Sequence, residues 1–484
     1  MKRVVAIVAV VVSAVASWSV AEARIVRIQV DRVEPVAGGA ELGPAGSYAR
    51  IVGRAWGELT PGRGGNRVIV NLDKAPRNAA GNVDYDVDFY ILRPTDLGRG
   101  NGRILYEVTN RGRKLLLPFL HAPEERDPAK INDPSSLRAL GNGFVFREGY
   151  TIVWSGWDPD APTANGGMTI RVPVATERGA PIVRAIRDEF VFGPRVPETR
   201  VTAPLSYEAA TLEQGRARLT VRAREAEPPT EIPATGWAYA DARSIRLLPE
   251  GTRFTPGLIY DFRYPAKDPK VLGIGFAATR DLVAFLRHEP RDTVGNANPV
   301  AVSASATGVR AVLALGISQS GRYLRDHVAQ GFNEDELGRR VFDGVLAHIS
   351  GIGKVFMNTE FGQPNRTNTQ HEDHLFPENA FPFAHTRLTD PATGRTDGLL
   401  RGHRSDPLVI EVNTSTEYWQ KGASLLHTDP RGAKDLEIPK TVRLYLIAGT
   451  QHGGRAGLAA TPGTCRHPRN PHDPGPALRA LLVA

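Results

Sequence analysis

A serine flanked by small residues stands where a predicted strand gives way to a predicted helix. The segment Gly316–Gly321 has the sequence Gly-Ile-Ser-Gln-Ser-Gly, follows the apolar run Val309–Leu315 and precedes a helical pattern that begins at Arg322. This order is typical of a nucleophile elbow, in which a buried strand turns sharply into a helix and raises one serine hydroxyl at the C-terminal edge of a sheet. The segment therefore predicts nucleophilic chemistry at a serine.

The size of the neighbouring residues distinguishes the two serines of this segment. Strand and helix cross closely at an elbow, so the residues two places before and two places after the nucleophile must be small. Ser318 has Gly316 and Ser320 at these places. Ser320 would instead have Ser318 and the long side chain of Arg322. We therefore expect Ser318 to be the nucleophile, and the structural alternative is a Gly/Ser loop that only joins a strand to a helix.

A histidine that could activate this serine follows a predicted strand late in the chain. A serine hydroxyl becomes a good nucleophile only when a nearby base accepts its proton. His452 lies in the glycine-flanked segment Gly449–Gly454, directly after the predicted strand Val442–Ala448. The base should lie there if the last strand of the sheet ends beside the elbow. We expect His452 to be the base, and a surface-loop histidine is the alternative.

The imidazole also needs a carboxylate that fixes its tautomer and stabilises the imidazolium formed during attack. Glu417 follows the predicted strand Leu408–Val412, and it gives the chain order serine, acid, histidine that is typical of sites built on an elbow. Asp429 satisfies the same order and is the rival. Either residue could also be a solvated loop carboxylate. We expect Glu417 to be the acid.

Two backbone amides are usually needed to stabilise the oxyanion that forms when a serine attacks a carbonyl group. One should be the amide of Gln319, directly after the predicted nucleophile. The other should come from the loop Asn110-Arg111-Gly112 after the predicted strand Arg103–Val108, because its glycine permits an unusual backbone conformation. The sequence leaves open whether Arg111 or Gly112 donates, and whether this loop is simply a turn.

The segment His371-Glu372-Asp373-His374 is the one candidate that we considered for a metal site. Its histidines are three residues apart in a predicted loop, whereas a zinc-protease motif places them four apart on a helix. We therefore predict a polar loop there, with no metal and no cofactor.

Apolar runs bounded by turn residues predict the strands that would position these side chains. Their order suits an α/β-hydrolase fold with a mostly parallel central sheet covered on both faces. A helical pattern over Gly275–Arg287 supplies a crossover before the elbow strand. The predicted strands are Val83–Leu92, Arg103–Val108, Tyr150–Ser155, Val309–Leu315, Phe342–Ile349, Leu408–Val412 and Val442–Ala448.

Two connections in this scheme are too long to be simple crossovers. The first, at about residues 157–274, contains strand-like pieces punctuated by proline and glycine, and we predict a β-rich insertion. The second, at about residues 351–406, is rich in loop residues, and its position suits a lid over the pocket. Both would belong to a single hydrolase domain over residues 24–484.

The N-terminus is typical of a secretory signal peptide. Lys2 and Arg3 precede the apolar run Val4–Ala16, and Ala21-Glu22-Ala23 offers small residues at the usual cleavage spacing. The apolar run is shorter than the roughly 20 residues of a membrane span. We predict cleavage after residue 23, export, and a periplasmic or secreted protein without a membrane span.

Composition restricts the remaining classes of function. The net charge is +8, but the basic residues are interleaved with acids and form no block or nucleic-acid motif, so no nucleic-acid partner is expected. Cys465 is the single cysteine, so the chain has no intrachain disulfide and its fold must rest on core burial.

Four segments of the chain resemble a group of bacterial α/β-hydrolase-domain proteins that are often exported. These segments are Asn110–Gly112, Gly316–Arg322, Asn413–Trp419 and Gly449–Gly453. The resemblance extends over most of the mature chain and implies a serine-hydrolase fold with Ser318 and His452 as functional positions, and Glu417 with them. It names no substrate.

Together these patterns lead us to expect an exported hydrolase that cleaves small-molecule or polymer carboxylic esters through an acyl-enzyme intermediate. A serine peptidase would use the same residues, and a binding protein could keep the scaffold without turnover. The oligomeric state is not predicted.

Overall fold

The fold is taken from a computed structural model, which describes residues 24–193, 201–365, 373–455 and 470–484. The predicted signal peptide, His371, Glu372 and Cys465 lie outside the described residues. Within the described ranges, no helix has both the length and the apolar character needed to cross a bilayer.

The N-terminal part of the chain forms one half of the central sheet. Strands β1, β2, β3 and β5 are antiparallel neighbours in that order, and β5 then pairs with β4 in parallel. Short helices connect β4 to β5. These strands are β1 (Arg24–Pro35), β2 (Tyr48–Leu59), β3 (Val83–Pro94), β4 (Arg103–Val108) and β5 (Thr151–Ser155), and the helices are α1 (Leu116–Leu120), α2 (Pro128–Asn132), α3 (Leu137–Leu140) and α4 (Phe144–Arg147).

The segment predicted to be a β-rich insertion forms short antiparallel strands. One sheet has the order β12-β11-β15-β9 and another the order β10-β14-β13, while β6 pairs with β3 and β7 with β8. The residues are therefore β-rich as predicted, whereas the division of the chain into insertions stays a prediction. The strands are β6 (Ile170–Arg171), β7 (Thr176–Glu177), β8 (Ala180–Pro181), β9 (Val183–Val191), β10 (Thr202–Pro204), β11 (Arg218–Arg222), β12 (Thr230–Ile232), β13 (Trp237–Asp241), β14 (Ser244–Leu247) and β15 (Ile259–Lys267).

The C-terminal part completes the sheet with parallel strands. From β4 the order continues β16-β17-β20-β21, and each neighbouring pair is parallel. The prediction of an α/β-hydrolase fold with a mostly parallel sheet is confirmed. The elements are α5 (Ile274–His288), β16 (Ala311–Ile317), α6 (Gln319–Ala329), β17 (Gly344–His348), β18 (Leu388–Thr389), β19 (Thr396–Asp397), β20 (Leu408–Thr414), α7 (Ser415–Gln420), β21 (Val442–Ile447) and α8 (Gly475–Val483).

Both faces of the sheet are buried at β16. Val312 and Ala314 belong to one apolar cluster together with Phe276 of α5. Leu315 and Ile317 belong to a second cluster together with leucines of α1 and α8. Successive side chains of a strand point to opposite faces, so both clusters need apolar residues and the strand becomes an almost continuous apolar run.

A buried charge network joins β20 to α6. Glu411 of β20 accepts a hydrogen bond from Arg325 of α6 and lies 2.7 Å from Nε2 of His385, and all three side chains are buried. Burial alone would raise the pKa of the Glu411 carboxyl, but the neighbouring guanidinium and imidazole outweigh burial and lower it. The network fixes the helix that follows Ser318 against the strand that leads to Glu417.

Replacing Glu411 with glutamine should lower the free energy of unfolding by about 3–5 kcal/mol, because Arg325 would keep a buried charge without its partner. Urea denaturation monitored by circular dichroism measures this. Glu231→Gln is the control, since Glu231 pairs with Arg218 at the surface of β11 and β12 and should cost less than about 1 kcal/mol. If both variants lost the same free energy of unfolding, the result would contradict a stabilising role of this buried network.

Candidate active site

Ser318 lies at the junction of β16 and α6 with a strained backbone. Its φ is 61° and its ψ is −120°, a region that residues with a side chain rarely adopt. The conformation is held from both sides: the amide of Ser318 donates to the carbonyl of His348 at 2.8 Å, and the amide of Arg322 donates to the carbonyl of Ser318 at 3.1 Å. The geometry is that of a nucleophile elbow.

Small residues permit the close crossing at this junction. A Cβ atom on Gly316 would lie 2.4 Å from the carbonyl oxygen of Ser320, and one on Gly321 would lie 3.0 Å from Cβ of Ser350. The elbow strand begins and ends two residues later than predicted, because Gly316 and Ile317 remain in the ladder opposite β17.

The hydroxyl of Ser320 is engaged inside the elbow. It accepts a hydrogen bond from the amide of Ile317 and donates to the carbonyl of the same residue, each at 2.8 Å. The side chain is fully buried. Of the two candidate serines, Ser318 is therefore the one that presents its hydroxyl to a base.

The three residues predicted to act together form a hydrogen-bonded chain. Oγ of Ser318 lies 2.9 Å from Nε2 of His452, and Nδ1 of His452 lies 2.5 Å from Oε1 of Glu417. The His452 ring is half-exposed, whereas the Glu417 carboxylate is fully buried. Such a chain can move a proton from the hydroxyl to the imidazole while the carboxylate fixes the ring.

The local sequence after β20 holds the Glu417 carboxylate in place. Oε2 of Glu417 accepts hydrogen bonds from the amide of Thr414, at 3.1 Å, and from the Thr414 hydroxyl. This contact is the glutamate half of a capping box, in which the side chain of the third residue of a helix bonds to the residue that caps the N-terminus of that helix. Burial alone would raise the pKa of the Glu417 carboxyl, but His452 and Thr414 lower it below its ordinary value.

The first turn of α7 also holds the loop that carries the histidine. The Ser415 hydroxyl accepts from the amide of Gly449 at 3.0 Å, and the Thr416 hydroxyl accepts from the amide of His452 at 3.3 Å. The run Thr414-Ser415-Thr416-Glu417 therefore positions both the acid and the base.

Asp429, the rival acid, belongs to a separate turn. Its carboxylate accepts hydrogen bonds from the amides of Ala433 and Lys434, at 2.6 and 2.9 Å. The described contacts of Asp429 do not include His452, and these local amides account for its position.

The loop after β4 lies beside the elbow, as the oxyanion prediction requires. Nδ2 of Asn110 donates to the carbonyl of Ile317 at 2.9 Å, which ties this loop to the end of β16. The loop backbone is unusual, with a φ of 49° at Arg111 and 79° at Gly112. The Gln319 amide occupies the first helical position, where an N–H group has no intrahelical acceptor. The choice between the amides of Arg111 and Gly112 stays open.

A cavity of about 240 Å³ opens at this end of the sheet. Three residues that line it have positive φ although none is glycine: Arg111 at 49°, Ser318 at 61° and Ile349 at 49°. Strained backbone of this kind clusters at functional sites, where the surrounding structure holds it. The lining residues are Arg111, Ser318, Arg322, Ile349, Ser350, Glu378, Thr416, Gln420, Lys421 and His452.

Asn365 and Glu378, which lie beside the site, were not predicted from the sequence. The Gln319 side chain donates to Pro364 at 2.7 Å and to Asn365 at 3.0 Å, and Asn365 in turn donates to the buried carboxylate of Asp158 at 2.6 Å. Glu378, from the segment predicted to be a lid, also lines the cavity. No local motif marks these residues, because each meets the elbow only through a distant segment.

Asp373 and His374, the two described residues of the segment considered for a metal site, form ion pairs. Asp373 binds Arg187 at 2.8 Å and also Arg222, and the hydrogen bond from Arg187 is the largest of the effects that lower the pKa of its carboxyl. Nδ1 of His374 lies 3.1 Å from Glu189. These contacts join the segment to β9 and β11.

Comparison with known proteins places this geometry in a family. Two solved structures of a glucuronoyl esterase from Solibacter usitatus are each 12% identical to this chain, with TM-scores of 0.31 and 0.28, and each match covers 89% of this chain and 84% of the other. No curated protein sequence matches this chain. A family model described as "Alpha/beta hydrolase domain" matches residues 236–482, which include Ser318, Glu417 and His452. The protein therefore belongs to the alpha/beta hydrolase domain family, as the sequence resemblance implied.

Proposed function

We propose that this protein is a serine hydrolase that cleaves carboxylic esters through an acyl-enzyme intermediate. The observation that carries the proposal is the hydrogen-bonded chain from Oγ of Ser318 through His452 to Glu417. The family supports a hydrolase. An acyl-enzyme is the intermediate expected when a serine beside a histidine acts as the nucleophile.

The residues would act in the following order. Nε2 of His452 takes the proton from Ser318 as Oγ attacks the acyl carbon of the ester, and the amide of Gln319 with that of Arg111 or Gly112 stabilises the oxyanion. The bond between the acyl carbon and the alcohol oxygen breaks, and the His452 imidazolium returns the proton to that oxygen. Water, deprotonated by the same imidazole, then attacks the acyl carbon, and the bond between that carbon and Oγ of Ser318 breaks. The imidazolium returns the proton to Oγ, which releases the acid and restores the Ser318 hydroxyl.

Labelling with a fluorophosphonate probe tests the nucleophile. The wild-type protein should form a covalent adduct at Ser318, and Ser318→Ala should form none, because the phosphonylated oxygen is lost. Ser320→Ala is the matched control, since the Ser320 hydroxyl bonds only inside the elbow, and it should keep the adduct. Mass spectrometry locates the label. A wild-type protein that resists the probe would instead indicate a binding protein on a hydrolase scaffold.

Kinetics on 4-nitrophenyl acetate test the acid. Glu417→Ala should lower kcat by about 10²- to 10⁴-fold, because His452 would lose the partner that fixes its tautomer. Asp429→Ala should leave kcat within about twofold of wild type, since the hydrogen bonds that Asp429 makes within the described part of the chain all lie in its own turn. The reverse ranking would overturn the assignment of Glu417. Parallel assays of the matching anilide distinguish an esterase from a peptidase.

We also propose that the protein is exported to the periplasm or beyond. The supporting feature is the basic and apolar pattern of residues 1–23, which ends in small residues at the usual cleavage spacing. Expression in a bacterial host with a C-terminal tag, followed by fractionation and N-terminal sequencing, should give a mature protein in the periplasm or medium that starts near Arg24. A protein that keeps Met1 and stays in the cytoplasm would contradict export.

A further inference from the structure

The cavity beside Ser318 holds more basic than acidic side chains. Glu378 accepts a hydrogen bond from Arg322 and pairs with Lys421 at 3.0 Å, so one carboxylate already serves two cations. Arg111 is a third cation in the lining. The lining therefore has an excess of positive charge, and a negatively charged ligand would be attracted to it.

The Arg111 guanidinium has no carboxylate partner among the described residues. Its one hydrogen bond is a long contact of 3.5 Å with Oδ1 of Asn110. The pKa of Arg111 is lowered, first by burial and then by the positive charges of Arg322 and Arg113, and these effects outweigh the more weakly acting carboxylates of Asp158 and Glu378. A partly buried cation near other cations gains free energy when an anion approaches it.

We propose that this cavity selects esters that carry a carboxylate, which pairs with the Arg111 guanidinium. The proposal rests on the proposed esterase function. A planar guanidinium can hold a carboxylate through two parallel hydrogen bonds, a geometry that a neutral group cannot reproduce. The cavity of about 240 Å³ suits a small ester whose charge lies close to the reacting carbonyl.

Matched pairs of substrates test this selection. 4-Acetoxybenzoate and 4-acetoxybenzamide differ only in a charge on the alcohol side, and monoethyl adipate and the ethyl ester of adipamic acid differ only in a charge on the acyl side. For at least one pair, the wild-type kcat/KM should be about 10- to 100-fold higher for the charged ester, the gain expected of a charge-assisted hydrogen bond. A wild-type ratio near or below one in both pairs would overturn the proposal.

Arg111→Gln should lower that ratio by about tenfold or more, since it removes the charge and keeps a long polar side chain. Arg113→Gln is the matched control: Arg113 is an exposed cation on the same loop that does not line the cavity, and its loss should leave the ratio near the wild-type value. If the Arg111 side chain instead stabilised the oxyanion, Arg111→Gln would slow both esters equally and leave the ratio unchanged, which contradicts the proposal. If Arg111→Gln fails to fold, the wild-type ratio of kcat/KM for the charged and neutral esters still tests the proposal.

The fluorophosphonate adduct separates failure of this inference from failure of the proposed function. The protein would be a serine hydrolase without the proposed selection if it is labelled at Ser318 but shows no preference for either charged ester. The same conclusion would follow if it is labelled but hydrolyses neither charged ester. A protein that is not labelled and hydrolyses no ester contradicts the proposed function as well. Binding of 4-acetoxybenzoate to Ser318→Ala, measured by calorimetry and compared with 4-acetoxybenzamide, checks the selection without turnover.

Discussion

The close crossing of β16 and α6 at Gly316 is the constraint on which the site depends. The distance from a Gly316 Cβ to the Ser320 carbonyl would be only 2.4 Å, so this crossing requires a residue without a side chain. It turns the chain within a few residues, forces Ser318 to a φ of 61°, and leaves its hydroxyl within 2.9 Å of His452. Any side chain at Gly316 would push the helix from the strand and lengthen that hydrogen bond. The parallel strands β20 and β21 bring Glu417 and His452 to the same edge of the sheet.

Glu417 and His452 are held in place by one short stretch of sequence and one buried ion pair. The first turn of α7 orients Glu417 and anchors the loop of His452 through the hydroxyls of Ser415 and Thr416. The helix after Ser318 is joined to β20, the strand that leads to Glu417, because Arg325 bonds to Glu411 in the core. Ser318 and Glu417 thus lie next to elements that share a buried contact, which limits how far they can move apart.

Local patterns were enough to select residues at the ends of strands that the fold brings together. Ser318 and His452 were selected because each follows an apolar run and has glycine close by in the sequence, features that depend on nearby sequence alone, and their catalytic roles stay predictions. Strands β1 and β2 were missed, since β1 is largely exposed and contains no long apolar run. The cavity lining was missed as well: Glu378 comes from a loop far along the chain, and only the folded structure places it beside Arg322. The periodicity of apolar residues in a sequence indicates which side chains are buried. It does not indicate pairs such as Glu378 and Arg322, which depend on tertiary contacts.

Arg111 connects backbone strain with the charge of the cavity. Its amide, or that of Gly112, is proposed to face the oxyanion, while its guanidinium is proposed to hold the carboxylate of the substrate. Asn110 donates to the carbonyl of Ile317, so one hydrogen bond connects this loop to the residue before Ser318. A substrate held through its charge would therefore be held on the same rigid support as the attacking oxygen. When the substrate and the attacking oxygen are held by connected parts of the protein, less translational and rotational entropy must be lost before the acyl carbon meets Ser318. Binding energy can raise the rate of the chemical step in this way.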